Sequence, residues 1–146
     1  MIPKVSIIIP HWNGIETLSE CLDSITCSDF KSYEVIVSDN NSNDGSQDWI
    51  RKNHPDVILI ENKSNYGYAG GCNKGAKIAK GNYLLFLNND TIQDSDWLGP
   101  LIELFEKDKK IAAAQPKILN YYKKNTFDYA GACGGHIDIF SYPFAR

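Results

Sequence analysis

The chain has 146 residues, enough for one domain with a hydrophobic core and too few for two, so we predict a single domain over residues 1–146. Hydrophobic residues make up 42% of the chain and charged residues 23%, which is the balance of an ordinary soluble globular protein. The formal net charge of −3 argues against a non-specific nucleic-acid binder, which would be basic, but it does not exclude anionic ligands held locally by backbone amides or a metal.

Predicted strands and helices alternate along the chain. In order they are a strand at 5–9, a helix at 17–25, a strand at 34–38, a polar loop at 39–46, a short helix through 48–50, a strand at 57–60, a glycine-rich loop at 65–71, a helix at 72–80, a strand at 83–87, a helix at 97–107 and a candidate fifth strand at 111–114. This alternation predicts an α/β fold with a mostly parallel sheet and helices on both faces. Ligands of such sheets bind beyond the carboxyl ends of the strands, where the polar segments of this chain lie.

The four cysteines and the apolar runs indicate the compartment. Cys21, Cys27, Cys72 and Cys133 fit neither a C-x-x-C pair nor a zinc-binding spacing, so we expect buried, reduced thiols and a reducing environment. The first residues predict a strand and not a signal peptide, and no run approaches the roughly 18 apolar residues of a membrane span. We expect a cytoplasmic protein, with peripheral association at the inner face of the membrane left open.

The first polar segment, Pro10-His11-Trp12-Asn13, has two interpretations. It is either a strand terminator and turn with Trp12 in the core, or a site where Trp12 and the backbone near Pro10 lie against a flat base. Asn13 belongs to the same candidate binding set. His11 alone is more typical of a surface or packing histidine than of a catalytic one.

The second polar segment begins with Asp39 and Asn40 at the end of a predicted strand. The Asp39 carboxylate can accept a hydrogen bond from a base N–H or a ribose hydroxyl, and Asn40 is a further candidate binding residue. The alternative for Asp39 is an Asx-turn that starts the loop. Asp44 is expected to cap the following helix.

The glycine-rich segment 65–71 precedes a predicted helix, and its small residues would let backbone N–H groups approach phosphates. Asn65 and Gly71 are the candidate binding residues here, and Asn73 lies within reach one turn into the helix. The segment lacks the Gly-Lys-Ser/Thr ending of a P-loop and does not follow the first strand as a dinucleotide-binding loop does. Taken alone, it is a weak signal.

Asn88, Asn89 and Asp90 directly follow a hydrophobic strand. All three are candidate binding residues, and Asp90 is a hard oxygen ligand suited to Mg²⁺ or Mn²⁺ bridging to a diphosphate. Such a metal would offset the charge on a leaving nucleoside diphosphate. The alternative is a tight turn in which these side chains satisfy the backbone.

Taken together, the segments VSIIIPHWNG, EVIVSDNNSNDGS and NYGYAGGCNKGAKIAKGNYLLFLNNDT resemble family 2 glycosyltransferases over about residues 4–115. The likeness is greatest to the branch described as rhamnosyltransferase-like. The order and spacing of the segments carry more weight than any one of them.

The resemblance implies a GT-A (Rossmann-like) fold and inverting transfer from a UDP- or dTDP-sugar to a glycan or lipid-linked acceptor, in polysaccharide or cell-wall assembly. It places Pro10, Trp12 and Asp39 at the base and ribose, and Asp90 at the metal and diphosphate. The family's D-x-D motif is Asn88-Asn89-Asp90 here, so strict metal dependence is open.

The resemblance also implies a catalytic Asp or Glu, the general base for the acceptor hydroxyl, in a later half that this chain does not match. Asp128 and Asp138 are not evident counterparts. We therefore expect the chain to be a fragment that binds a sugar nucleotide with little or no transfer. Its exposed apolar surface would favour self-association.

Two other functions are weighed against this one. A nucleotidyltransferase would need a glycine-rich loop with Arg or Lys directly after the first strand, which PHWNGIETL does not supply. A non-catalytic nucleotide-sugar-binding or interaction module is the second alternative.

Overall fold

The computed structural model describes residues 2–126 together with two later strands, 135–137 and 143–145. The strands are β1 Val5–His11, β2 Tyr33–Asp39, β3 Ile58–Glu61, β4 Tyr83–Phe86, β5 Gly135–Ile137 and β6 Pro143–Ala145. The helices are α1 Ile15–Thr26, α2 Ser46–Asn53, α3 Gly67–Ala76 and α4 Leu98–Lys107. The chain divides into two compact units, Met1–Pro100 and Leu101–Arg146. In the second unit, β5 and β6 form an antiparallel pair.

The first unit is built on a four-stranded parallel sheet in the order β3-β2-β1-β4. β1 pairs with β2 along its whole length, from Val5 opposite Tyr33 to His11 opposite Asp39. On its other side β1 pairs with β4, from Val5 opposite Tyr83 to Ile8 opposite Phe86. Because all four strands run the same way, their carboxyl ends meet at one edge. The predicted α/β fold with a parallel sheet is confirmed.

The central strand β1 is buried on both faces. Ile7, Ile8 and Ile9 have no exposed surface, and consecutive side chains of a strand point to opposite faces. Helix α3 covers one face, since a Cβ on Gly75 would overlap the Ile8 side chain and a Cβ on Gly71 would lie 2.7 Å from the Pro10 Cβ. Such double coverage explains the unbroken β-branched run of this strand.

Two sequence predictions about individual elements are wrong. Helix α3 begins at Gly67 rather than at 72, so the predicted glycine-rich loop is largely the first turns of a helix. Close packing on β1 requires the small residues there and outweighs the low helix propensity of glycine. The predicted fifth strand at 111–114 has no regular structure. Three of its residues are exposed alanines, which are poor strand formers without a covering layer.

Three of the cysteines lie among the described residues, and all are free thiols. Cys21 and Cys72 are buried as predicted, whereas Cys27 is exposed. Cys133 lies outside the described residues. No helix in the described part of the chain is long and apolar enough to cross a membrane.

Candidate functional site

An open cleft of about 260 Å³ lies at the carboxyl edge of the parallel sheet. Its lining comes from the ends of β1, β2 and β4 and from the start of α3: Pro10, His11, Trp12, Asn40, Asn65, Gly67, Tyr68 and Asn89. Five candidate residues from the sequence, Pro10, Trp12, Asn40, Asn65 and Asn89, are therefore brought together. Gly71, Asn73, Asn13, Asp39, Asn88 and Asp90 are not part of the lining.

The segment that follows β1 presents an aromatic side chain and anchors a loop. Trp12 is 57% exposed, so the interpretation of it as a core aromatic is wrong. Asn13 adopts a left-handed conformation (φ 56°) and accepts a hydrogen bond from the Asn43 N–H at 2.9 Å. Its own N–H donates to Ser42 Oγ at 2.9 Å. Asn13 therefore holds the loop between β2 and α2 against the end of β1.

Asp39 ends β2 and is fully buried. Its Oδ2 accepts hydrogen bonds from the Ser42 N–H at 3.0 Å and from Gln47 Nε2 at 2.6 Å. Its Oδ1 is buried and has no partner among the described residues. One oxygen thus makes the turn that the sequence offered as an alternative, while the other leaves an acceptor whose desolvation is uncompensated.

Asn40 and Asn62 tie β2 to the start of α3. Asn40 Nδ2 donates to the Gly67 carbonyl at 3.1 Å, and Asn40 Oδ1 accepts from Asn62 Nδ2 at 3.1 Å. Asn62 also donates to Ser38 Oγ at 3.0 Å. Both polar atoms of Asn40 are engaged, so it shapes the cleft wall by holding α3 in place.

His11 is buried at the back of the cleft with 1% of its surface exposed, so it is a packing and not a surface histidine. Its Nδ1 lies 2.9 Å from Asn89 Nδ2 and its Nε2 lies 2.9 Å from Ser46 Oγ. Burial lowers the pKa of His11 below its ordinary value, although the carboxylates of Asp39 and Asp44 act in the opposite direction. The imidazole is therefore neutral at pH 7.

Asp44 lies just before α2 and connects it to the turn after β1. Its Oδ1 accepts hydrogen bonds from the Ser46 N–H at 3.1 Å and from the Ser46 hydroxyl, and its Oδ2 accepts from the Gly14 N–H at 2.6 Å. Burial raises the pKa of Asp44, but these hydrogen bonds outweigh it and hold the pKa below its ordinary value. The predicted helix cap is wrong by one residue, because the N-cap of α2 is Gly45 and has no side-chain capping hydrogen bond, whereas Asp44 precedes it and bonds the N–H of the first helical residue, Ser46.

Helix α3 starts at the mouth of the cleft. Asn65 Oδ1 accepts a hydrogen bond from the Gly67 N–H at 2.8 Å, and Tyr68 in the next position is exposed by 52%. Gly71 is buried against Pro10, so its lack of a side chain serves helix packing. Asn73 is exposed further along the helix.

The segment after β4 contributes one residue to the cleft and a carboxylate beside it. Asn89 lines the cleft, while Asn88 and Asp90 are exposed. A turn lies at Asn89 and Asp90. The side chain that bonds the backbone there belongs to Thr91, whose Oγ1 donates to the Asn88 carbonyl at 2.9 Å, and not to the three candidate residues of the alternative. No group of three or more His, Cys, Asp or Glu within the described ranges is arranged to hold a metal. A lone carboxylate such as Asp90 suits Mg²⁺ or Mn²⁺ only where phosphate oxygens and water complete the coordination shell.

Four residues that shape the site were not singled out as binding candidates: His11, Ser46, Asn62 and Tyr68. His11, Ser46 and Asn62 have partners that are distant in sequence, as shown by His11, whose two partners lie 35 and 78 positions away. No local pattern identifies such contacts. Tyr68 alone carried a signal, as an aromatic residue in a glycine-rich segment next to a helix.

Comparison with known proteins gives the family. The sequence profile of glycosyl transferase family 2 matches residues 6–136. The chain belongs to this family. The poly(ribitol-phosphate) beta-glucosyltransferase of Bacillus spizizenii is 39% identical over 101 residues, covering 65% of this chain and 16% of that protein. The poly-beta-1,6-N-acetyl-D-glucosamine synthase of Staphylococcus aureus is 29% identical over 138 residues, covering 89% of this chain and 34% of that protein.

Solved structures of two other proteins share the fold. S. aureus TarS 1–349 in complex with UDP superimposes with a TM-score of 0.66 at 25% identity, covering 71% of this chain and 32% of that one. The mannosyltransferase PcManGT from Pyrobaculum calidifontis, in complex with GDP-Man and Mn²⁺, has a TM-score of 0.66 at 26% identity over 81% of this chain and 34% of that one. The predicted GT-A fold is thereby confirmed. The chain spans between 16% and 34% of the length of these four proteins.

Proposed function

We propose that the cleft binds the nucleoside diphosphate of a UDP- or dTDP-sugar, and that the chain is the donor-binding part of an inverting glycosyltransferase. The observation that carries the proposal is the buried, unpartnered Oδ1 of Asp39 at the sheet edge, in a residue that pairs with the lining residue His11 and precedes the lining residue Asn40. Asp39 has no exposed surface, so a base N–H or a ribose hydroxyl would supply the donor that this oxygen lacks once the side chains that cover it move aside. The exposed Trp12 ring offers a flat apolar surface for a base at the same edge.

The relatives support the choice of donor and acceptor. TarS binds UDP and UDP-GlcNAc in its solved complexes, and two sequence relatives are named for a ribitol-phosphate polymer and an N-acetylglucosamine polymer. We therefore propose a glycan or lipid-linked acceptor in polysaccharide or cell-wall assembly. The reaction is proposed to occur in the cytoplasm at the inner face of the membrane. A rhamnosyl donor stays within the proposal because of the resemblance of the motifs.

A divalent metal is proposed to join the donor at Asp90. Its exposed carboxylate lies one residue after the cleft residue Asn89 and would hold Mg²⁺ or Mn²⁺ together with the diphosphate oxygens of the donor. The metal, when bound, would offset the charge that develops on the leaving nucleoside diphosphate. The Mn²⁺ in the mannosyltransferase complex supports this assignment.

The general base is proposed to lie outside the cleft lining. Within the part of the chain that the structure describes, the lining residues include no Asp or Glu, and both ring nitrogens of His11 have hydrogen-bond partners. We therefore propose that this chain alone binds the donor but transfers little or no sugar. Asp128 and Asp138, which the sequence offers, lie outside the described residues. Among the described residues, the lining also lacks Lys and Arg, which disfavours a nucleotidyltransferase.

Asp39→Asn tests the donor site with little change in shape. The Ser42 N–H and Gln47 Nε2 both donate to Oδ2, so the amide oxygen will take that position and the amide NH₂ will replace Oδ1. The amide NH₂, a hydrogen-bond donor, then faces the N–H or hydroxyl groups of the nucleotide, which are also hydrogen-bond donors. We expect calorimetric titration with UDP and dTDP to show affinity about tenfold to a hundredfold weaker than in wild type.

Asp48→Asn is the matched control, because it removes the same charge from an exposed side chain on α2. Its affinity for UDP should equal that of wild type. Asp90→Asn should abolish the gain in affinity that Mn²⁺ produces and leave metal-free binding unchanged. If wild type binds neither nucleotide with or without Mn²⁺, the donor-site proposal is wrong. Robust transfer by this chain alone would overturn the placement of the base.

A further inference from the structure

A chain of hydrogen bonds runs through the imidazole of His11. Asn89 Nδ2 lies 2.9 Å from His11 Nδ1, and His11 Nε2 lies 2.9 Å from Ser46 Oγ. The Ser46 hydroxyl in turn meets Asp44 Oδ1. These hydrogen bonds thus join the segment after β4 and the end of β1 to the first residue of α2.

Each hydrogen bond in the series Asn89–His11–Ser46–Asp44 has only one consistent donor and acceptor. An amide NH₂ can only donate, so His11 Nδ1 must be the acceptor and the ring proton must lie on Nε2. The Nε2–H therefore donates a hydrogen bond to Ser46 Oγ. The Ser46 hydroxyl in turn donates to the Asp44 carboxylate, which can only accept. Donor and acceptor match at every step, which indicates a neutral His11 in the Nε2–H form.

This tautomer of His11 fixes the orientation of the amide of the cleft residue Asn89. Its NH₂ is held by a buried ring, so its amide cannot rotate without placing Oδ1 against the lone pair of Nδ1. Oδ1 has no partner among the described residues. It is therefore the polar atom of Asn89 that remains for a ligand, and it accepts hydrogen bonds only. An acceptor at this point attracts a hydroxyl and repels a phosphate oxygen.

We propose that His11 is a positioning residue for the donor site, which holds Asn89 by its amide nitrogen so that the carbonyl oxygen accepts a hydrogen bond from a hydroxyl of the nucleotide sugar. This inference rests on the proposed function, because it takes the cleft to be the donor site. The hydroxyl belongs either to the ribose or to the transferred sugar. His11 lines the cleft with only 1% of its surface exposed, and its ring nitrogens are engaged with Asn89 and Ser46, so it has no polar atom left for the hydroxyl.

Two substitutions test the roles of the two ring nitrogens of His11 separately. The amide of Asn lies at the distance of Nδ1 from the backbone, so His11→Asn keeps an acceptor for Asn89 and loses the bond to Ser46. The amide of Gln lies at the distance of Nε2, so His11→Gln keeps a donor for Ser46 and loses the acceptor for Asn89. We expect His11→Gln to bind UDP-glucose or dTDP-glucose about three- to tenfold more weakly than His11→Asn does, in calorimetry.

The same comparison in an Asn89→Ala background tests whether His11 acts through Asn89. There the difference between the two His11 variants should vanish. A difference that persists, or equal losses in both His11 variants, overturns the proposal in favour of a packing role. Titrations with UDP and dTDP identify the source of the hydroxyl, because loss of affinity for the diphosphate alone indicates the ribose, and loss only with the glucose ester indicates the sugar.

Nitrogen NMR of the histidine rings gives a readout that does not depend on binding. The chain has three histidines, and the His11 signals are assigned by their absence from the spectrum of His11→Asn. His11 should show the Nε2–H form. An Nδ1–H form would overturn the proposed orientation. If wild type binds no nucleotide, the proposed function and this role both fail, whereas binding without a difference between the His11 variants overturns the role alone.

Discussion

Trp12 lies in the cleft lining with 57% of its surface exposed, so it contributes little to the core. We expect Trp12→Ala to weaken UDP or dTDP binding by about fivefold to a hundredfold, the range for loss of an aromatic stack on a base. The free energy of unfolding should change by no more than about 0.5 kcal/mol.

Trp12→Phe is the matched variant, because it keeps a ring of smaller area. Calorimetry should place its affinity between those of wild type and Trp12→Ala. Equal affinity in all three proteins would show that the ring does not contact the base.

The neutral His11 makes folding stability depend on pH. Because burial lowers its pKa in the folded state, the unfolded chain binds more protons as the pH falls, and stability decreases from about pH 6.5 down to the folded pKa. Asp39 and Asp44 face the ring and limit the shift. The lowered pKa of Asp44 adds a further loss at more acidic pH, as that carboxylate is protonated.

Urea denaturation between pH 7.5 and 5 should therefore show a falling free energy of unfolding for wild type. The slope should be smaller in His11→Asn. A slope that is the same in both proteins would contradict the burial of a neutral His11.

At the level of elements, the contact between α3 and β1 sets the position of the cleft wall. A Cβ on Gly75 would overlap the side chain of Ile8, which has no exposed surface. We expect Gly75→Ala to destabilise the protein by about 1–3 kcal/mol, even though alanine is the better helix former. Thermal or urea denaturation measures the change.

Gly99→Ala is the matched control in α4. A Cβ there meets no atom within 4 Å, and Gly99 lies in the first turn directly before Pro100, so this variant should change the free energy of unfolding by no more than about 0.5 kcal/mol. If Gly75→Ala is stabilising, the close approach of α3 to β1 is not required for the fold.

The position of α3 also explains an error of the sequence prediction. The glycines of 67–71 lower helix propensity, and a local interpretation places them in a loop. In the folded protein Gly71 packs against Pro10, and Asn40 holds the Gly67 carbonyl. The prediction for residues 111–114 shows the opposite error. Their apolar side chains predict a strand, but they pair with no strand in the described part of the chain.

For the molecule as a whole, donor binding should appear as stabilisation of the folded state. A ligand at about a hundred times its Kd adds about 2.7 kcal/mol to the free energy of unfolding. We expect UDP or dTDP to raise Tm accordingly in wild type. At the same concentrations Asp39→Asn should show a smaller rise, and an equal rise in the variant would indicate binding elsewhere.

The sequence by itself determined the parallel α/β architecture and the edge at which polar segments collect. Apolar runs alternating with helical periods specify the elements, and the parallel order brings the segments after β1, β2 and β4 to one side. The binding roles of Trp12 and Asp39 stay predictions.

Only the tertiary structure decided how individual polar atoms are paired. The free acceptor of Asp39, the orientation of the Asn89 amide and the tautomer of His11 all depend on contacts between segments that are far apart in sequence. Propensity and spacing describe neighbours along the chain. Whether a buried polar atom has a partner is settled by which strands and helices meet, because hydrogen bonds require contact in space.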